Sequence, residues 1–503
     1  MSVPARPDPA RVPVVVGVGQ LRNNRERTVD AAREPAELIA DAVRRAVADA
    51  GAPSLLDRAD RLDVVRVISW EYDDLVGDVA RLLGRDAIAG EHSDVGGNRP
   101  VQLLDEAAAR IADGAADVQV VAGAEAAASF TALMKAGAEP PWSRRPGGPV
   151  RFAPDIAGTE LARRHHVAVP VRAYPLYENA LRASLGQSFA QAQEWSADIY
   201  ADFTHVAAAN DAAWDPVVRT ADEIATVAGK NRMICYPYPL LMNAQPAVDQ
   251  AAAVVVTSLA TARALGIDEA QVVHVWGGAG GADSKDILAR VAYDRAPAMA
   301  ATLDATLEQT GIGIDDVDVL DLYSCFPCVP KLAALHLGLS RDRRLSVTGG
   351  LTAFGGPGNS YSTHALVAAT RALRAGGRTA LVYGNGELVT KHHAVVLSRE
   401  PHRDGYVGRR DAVTADAQGP RLVEVASGAA TVETFTVSYT RTGEPEHGYV
   451  IGRLPNGDRF VANTPDGDAA TLRALVEPAG DPIGRPGTVA PSGDGRNLFA
   501  LAR

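Results

Sequence analysis

The chain has 503 residues, 47% of them hydrophobic and 22% charged, a length that exceeds one compact core and sets two or three domains as the expectation. A net charge of −11 argues against nucleic acid or an anionic membrane surface as the main partner. The opening MSVPARPDPA has no apolar leader core, no apolar run long enough to span a bilayer follows, and three cysteines (Cys235, Cys325, Cys328) are too few for a disulfide framework, so a cytoplasmic protein is expected.

Residues 14–19 (VVVGVG) read as a buried strand feeding a turn. Pro35 in a first turn and Gly51 past the end bracket a helix over 35–50. A strand over 62–70, a helix over 101–114 and a strand over 118–123 follow. From 130 to 236 the pattern changes to loop chemistry at 140–148 and helices carrying aromatics at 174–183 and 188–210, which reads as an insertion. The buried-strand pattern resumes at 251–258 (AAAVVVTS) with a helix over 259–265. Next come a strand over 272–276 running into a glycine loop at 277–281, a helix over 297–310, a strand over 317–322 and a helix over 330–337. Residues 349–387 read as a Gly/Pro loop, an Ala-rich helix, a strand over 379–382 and a second glycine loop at 384–386. Alternation of this kind implies a layered α/β fold.

A strand over 394–398 ends that part, and 399–405 is a charged linker. Residues 431–439 alternate with period two, and 449–454, the Asn456-Gly457 turn and 459–463 form a hairpin. The last hundred or so residues therefore read as a separate small β-barrel, OB-like, with a Gly/Pro-rich tail at 481–498 looping around it.

Two loop–helix–strand units repeat at one spacing. Gly97-Asn98 matches Gly358-Asn359, and 121–123 (VAG) matches 382–384 (VYG), each 261 residues apart (359 − 98, 382 − 121). A duplicated core with both loops at one site is expected.

Residues able to do chemistry cluster near these loops. Cys325 and Cys328 lie where a strand passes into a helix, and a thiol at a helix N-terminus feels the positive end of the dipole, which favours thiolate. Three readings stay open: two buried small hydrophobes, a catalytic Cys325, or a redox or metal CxxC. His364, His392 and His393 are candidates for structural or proton-transfer roles. Glu125 and Glu387 are expected to hydrogen-bond loop backbone. Arg144, Arg145 and Arg151 suit either phosphates or solvent. The string 277–281 lacks the spacing of a phosphate loop.

Over about residues 10–400 this order is similar to the thiolase superfamily, the CoA-dependent Claisen enzymes: AGAE at 122–125, an inserted domain, DQAAAVVVTS at 249–258, then the YSCF, GGP and YGNG loops. Within it the chain resembles the type 1 thiolase-like proteins, which are related to sterol-carrier-type thiolases, carry an additional C-terminal domain and often bear the name acetyl-CoA acetyltransferase. The resemblance implies an α/β, duplicated five-layer αβαβα fold. Its two halves would be 1–130 and 245–400, with an inserted loop domain at 131–244 and the barrel at 401–503.

Carried over position by position, the family's nucleophilic cysteine falls on Gly97 and its activating histidine on Gly356. Its last cysteine falls on Val382, with Tyr383 beside it. The Asn-Glu-Ala-Phe loop, His-Asp-Cys-Phe in sterol-carrier-type thiolases, is Tyr323-Ser324-Cys325-Phe326 here. Glycine has no side chain to attack a thioester, so two-cysteine thiolysis cannot run at position 97. What the resemblance implies is an acyl-CoA-dependent acyltransferase with Cys325, Tyr323 and Tyr383 as catalytic candidates. Gly97, Asn98, Gly355, Gly356, Gly358, Asn359, Gly384, Asn385 and His364 would contact CoA or acyl-CoA, with no permanent cofactor and no metal, in a monomer or homodimer. The alternative is a non-catalytic acyl-CoA or lipid binder.

Overall fold

The computed structural model describes residues 7–143, 146–148, 158–409, 411–415, 418–477 and 480–502. The first stretch forms β1 (Pro13–Arg22), α1 (Pro35–Asp49), α2 (Ser54–Arg58), β2 (Arg61–Val64), α3 (Leu75–Leu82), α4 (Arg99–Asp113), β3 (Val118–Ala126) and α5 (Ala127–Lys135). Helices α6 (Glu160–Arg164), α7 (Pro170–Ser184), α8 (Phe189–Ala208) and α9 (Ala221–Ala225) follow, with the hairpin β4 (Met233–Cys235) and β5 (Tyr238–Pro239). Then come β6 (Asp249–Ser258), α10 (Leu259–Ala264), β7 (Val273–Ala282), α11 (Pro297–Thr310), β8 (Val319–Leu322), α12 (Cys328–His336), α13 (Tyr361–Arg374), β9 (Thr379–Gly386) and β10 (Lys391–Ser398). The C-terminal part holds β11 (Gly428–Tyr439), β12 (Pro445–Arg453), β13 (Arg459–Asn463), α14 (Ala469–Val476), β14 (Pro486–Pro491) and β15 (Asn497–Leu501).

The α/β strands run in the order β2-β3-β6-β1-β7-β10-β9-β8, which is the same four-strand pattern twice, related by a two-fold operation at the β1–β7 junction. In each half the outermost pair is parallel (β2–β3, β8–β9) and the inner pairs are antiparallel. The halves meet where Val14 pairs with His274 and Val15 with Val273. Strand β6 follows the insertion in sequence yet lies between β3 and β1, in the first half.

Strands covered on both faces must be apolar throughout, which is why VVVGVG and AAAVVVTS show no alternation. Val14, Val16, Val120 and Val255 pack with α1 and α3, while Val15, Val18, Val254 and Val256 pack with α4. Helices α4 and α13 touch strands of both halves and each other, so they form a middle layer; α1 covers the outer face of the first half's strands and α11 that of the second's. The result is the five-layer αβαβα thiolase-like fold that the duplication and the resemblance imply.

Three expectations change. The strand expected over 62–70 stops at Val64, because the amides of Ile68 and Ser69 turn to the Glu125 carboxylate, each at 2.8 Å. The glycines at 277–281 and 384–386 are not loops but lie within β7 and β9. Their lack of a Cβ admits close backbone neighbours: a Cβ on Gly278 would stand 1.9 Å from the Ala394 carbonyl oxygen, and one on Gly277 2.3 Å from the Gly408 nitrogen. The tail over 481–498 is not a loop either, since it supplies β14 and the first two residues of β15, strands whose Val489 and Phe499 enter the barrel core.

The C-terminal strands close as β11-β12-β13-β15-β14-β11, a five-stranded barrel with α14 packed against it. Its sheet continues into the insertion, where Cys235 of β4 pairs with Ser438 of β11. Arg459, wholly buried, binds Glu433 of the barrel and donates to the carbonyls of Leu288 and Arg290 in the core.

Candidate functional site

Four segments converge: 96–98 at the start of α4, 323–326 after β8, 355–359 before α13, and the end of β9. Ser362 Oγ donates to the Gly97 carbonyl at 2.8 Å, and the Gly96 amide donates to Asn359 Oδ1 at 3.0 Å. Asn359 Nδ2 reaches the Arg66 carbonyl at 2.9 Å. The duplicated loops therefore meet, each half's loop holding the other's.

The contacts around most of these glycines leave no side-chain space. A Cβ on Gly97 would stand 2.5 Å from Tyr323 Oη and 2.6 Å from the Asn385 carbonyl oxygen. One on Gly384 would stand 2.9 Å from the Asn98 Cα. Gly355 (φ +118°) and Gly358 (φ +51°) carry left-handed backbone, against Gln250 Oε1 and Glu125 Oε1 respectively. Gly356 is roomier, with no neighbour nearer than 3.4 Å to such a Cβ.

Strand alternation then divides the site. Gly384 and Gly386 turn to 96–98, so Tyr383 and Asn385 turn the other way. On that face Asn385 Nδ2 donates to Tyr174 Oη at 3.2 Å, and Tyr174 donates to the Glu387 carbonyl at 2.7 Å. The Cys325 thiol lies beside the Tyr174 hydroxyl, and the Tyr174 ring stacks on Phe326 at 4.5 Å. Tyr383 Oη lies 2.7 Å from His392 Nδ1, and its backbone carbonyl accepts from the Tyr323 amide at 3.1 Å. Tyr200 Oη donates to the Ser324 carbonyl at 3.0 Å and walls a narrow crevice with Phe203, Leu241 and Thr352. Thus Cys325, Tyr323, Tyr383 and Asn385 come together, joined by Tyr174 from the insertion.

The cluster is dry. Tyr383 and Asn385 are 1% exposed and Cys325 7%. Burial pushes the Cys325 thiol up to about 12, so desolvation outweighs the helix dipole that favoured thiolate on sequence grounds. Burial likewise pushes Tyr174, Tyr323 and Tyr383 well above the usual phenol range. Asn98 Oδ1, Ser324 Oγ and Asn385 Oδ1 are buried with no hydrogen-bond partner among the described residues. Such atoms are costly unless something binds them.

The other candidates sit elsewhere. His364 Nδ1 pairs with Gln20 Oε1 at 2.9 Å and packs on Phe354, and burial pushes it down to about 3. His393 pairs with Asp105 at 2.9 Å. Glu125 holds loop amides, with burial raising it to about 7, and Glu387 pairs with Lys391 at 2.8 Å. Cys328 is buried and, like the other two cysteines, free. No group of three or more metal-ligating side chains occurs among the described residues. No helix among them is long and apolar enough to cross a membrane. Arg144, Arg145 and Arg151 lie outside the described residues. Sequence reasoning passed over Tyr174 and the partnership of His392 with Tyr383; the aromatics of α7 were the one available signal for the former.

Residues 411–494 match the family model described as "Thiolase-like protein type 1 additional C-terminal domain". The chain is 32% identical to a monomeric SCP2-thiolase-like protein type 1 from Mycobacterium smegmatis, over 98% of this chain and 100% of that one, with a TM-score of 0.82. The Ltp2–ChsH2(DUF35) aldolase is 20% identical over 78% of this chain and 98% of its own, with a TM-score of 0.61. The acetyl-CoA acetyltransferase of Bacillus anthracis is 14% identical over 77% and 99%, with a TM-score of 0.56. These last two are likenesses of fold. No curated protein matches the chain in sequence.

Proposed function

The chain belongs to the SCP2-thiolase-like protein type 1 family, and from that premise we propose that it acts on acyl-CoA thioesters by proton transfer, without an acyl-enzyme intermediate. The observation that carries this reading is the split across β9. The face that would present a nucleophile holds Gly97 sealed by the Tyr323 hydroxyl, while the opposite face gathers Tyr174, Cys325, Tyr383 and Asn385. A thiol held protonated and a phenol with an imidazole partner suit acid–base work, not acyl capture. The unpartnered Ser324 Oγ and Asn385 Oδ1 beside them are polar atoms that a ligand group could satisfy. The choice of a thioester rests on the resemblance of the loop order to the CoA-dependent thiolases, and the monomeric relative favours a monomer here.

The test is deuterium exchange at the α-carbon of acetyl-CoA and of short and long 3-keto acyl-CoAs in D2O, read by mass. Wild type exchanges at least one of them, and Tyr383→Phe slows this by about a hundredfold or more. No exchange with any thioester overturns the proposal.

A second reading, thioester binding without turnover, is favoured by the burial of every group in the cluster. Equal binding by wild type and Cys325→Ala with no exchange by either supports it, and exchange by wild type removes it.

A further inference from the structure

The phenol of Tyr383 is not an isolated hydroxyl. Its oxygen lies 2.7 Å from His392 Nδ1, one strand over on the same face, because β9 and β10 pair with Tyr383 opposite Ala394 and His392 two residues away. The imidazole is fully buried and its Nε2 has no hydrogen-bond partner among the described residues. The Asp283 carboxylate lies 3.8 Å from that nitrogen, just past the end of β7. Asp283 is the one member with a solvent-facing side chain, 15% exposed. Arg290 pairs with it at 3.2 Å and is itself held by the Val389 carbonyl and the Tyr177 ring.

We propose that Tyr383, His392 and Asp283 form a proton relay that joins the buried cluster to solvent, with His392 as the positioning residue and proton acceptor behind Tyr383. This rests on the proton-transfer reading above. A carboxylate facing Nε2 favours the tautomer with its hydrogen there, which leaves Nδ1 free to accept from the phenol. In the transfer step a substrate X–H gives its proton to Tyr383 Oη while the Oη–H proton passes to His392 Nδ1. The products are X⁻ and an imidazolium protonated on both nitrogens, beside the Asp283 carboxylate; reversal returns the proton to the substrate. No oxidant or co-reactant is needed.

The groups that set the pH response are Tyr383 on β9, Asp283 and Arg290 after β7, and Tyr177 on α7 beyond Arg290. Burial alone would raise Asp283, but His392 and Arg290 hold it below the usual carboxylate range; burial lowers His392 despite Asp283. The relay requires a neutral imidazole at rest, which is the direction in which burial moves it.

The relay is tested independently of turnover by long-range ¹H–¹⁵N correlation of the ¹⁵N-histidine-labelled full chain at pH 7.5. The His392 signal, assigned by its loss in His392→Gln, should show the Nε2–H tautomer. Its Nδ1 shift should move in Tyr383→Phe, and the tautomer should become mixed in Asp283→Asn. An Nδ1–H tautomer, or a signal that neither substitution moves, overturns the relay whatever the activity. A correct tautomer pattern with no thioester exchange in wild type overturns the proposed function and leaves the relay standing. Where exchange occurs, Asp283→Asn should shift its pH profile, and a profile identical to wild type overturns the Asp283 role.

Discussion

The hydroxyl of Tyr323 occupies the space that a side chain at Gly97 would need: a Cβ there would lie 2.5 Å from Oη and 2.8 Å from Cζ. The position where the resemblance would set a nucleophile therefore has no room for a side chain. The loop after β8 sets the Tyr323 ring on one side of this position, and the Asn385 carbonyl closes it from the other at 2.6 Å.

Gly97→Cys should consequently fail to install a thiolase-type nucleophile. It should lower stability by about 1–3 kcal/mol through overpacking, measured by urea unfolding. Adding Tyr323→Phe should restore only part of this, since the Asn385 backbone cannot be removed by substitution. A double variant as stable as wild type would contradict the packing account.

All three thiols should be silent in the native protein. Burial raises Cys235 and Cys325 to about 12 and Cys328 well above the usual thiol range. Ellman's reagent at pH 8 should release no chromophore from folded protein and three equivalents after denaturation. Rapid release from one native thiol would identify an accessible thiolate that this site lacks.

Glu125 should give stability a pH slope. Burial raises its carboxyl from 4.5 to about 7, so the folded state keeps a proton that the unfolded state releases between those values. The sign follows: the contribution is complete below about pH 4.5 and is lost as pH rises to 7, on the order of 3 kcal/mol. Asp249, raised by burial to about 6, adds a slope of the same sign at lower pH. Urea unfolding between pH 4.5 and 7.5 should show Glu125→Gln flattening the upper part of the curve; an unchanged slope would place the proton elsewhere.

The barrel should depend on Arg459. Its guanidinium is wholly buried between Glu433 and core carbonyls, so Arg459→Met leaves buried acceptors unpaired and should cost about 3–5 kcal/mol. Arg453, which also pairs with Glu433 but is 29% exposed, should cost no more than about 1 kcal/mol on conversion to Ala. Equal losses in thermal unfolding would refute the asymmetry.

What was legible in the sequence follows from physics of short range. The doubled strand order was visible as a 261-residue repeat, because the same loop–helix–strand geometry requires the same glycine and asparagine positions twice. The barrel was visible as period-two alternation in 431–439 and as a hairpin about the Asn456-Gly457 turn. Glycine strings at 277–281 and 384–386 misled, because a glycine chosen for close approach inside a strand looks identical to one chosen for a turn. The membership of Tyr174 had no sequence signal beyond the aromatics of its own helix. Its hydroxyl meets Asn385 and Cys325 across the fold, and only packing of the insertion brings them together. The thiolate expected from the helix dipole failed for a related reason, since burial is a tertiary quantity.

The central claim is chemistry without an acyl-enzyme, and intact-protein mass after incubation with short, long and 3-keto acyl-CoAs tests it most directly. The account predicts an unchanged protein mass with every thioester. An acyl increment that maps to Cys325 would contradict it and make that cysteine a relocated nucleophile.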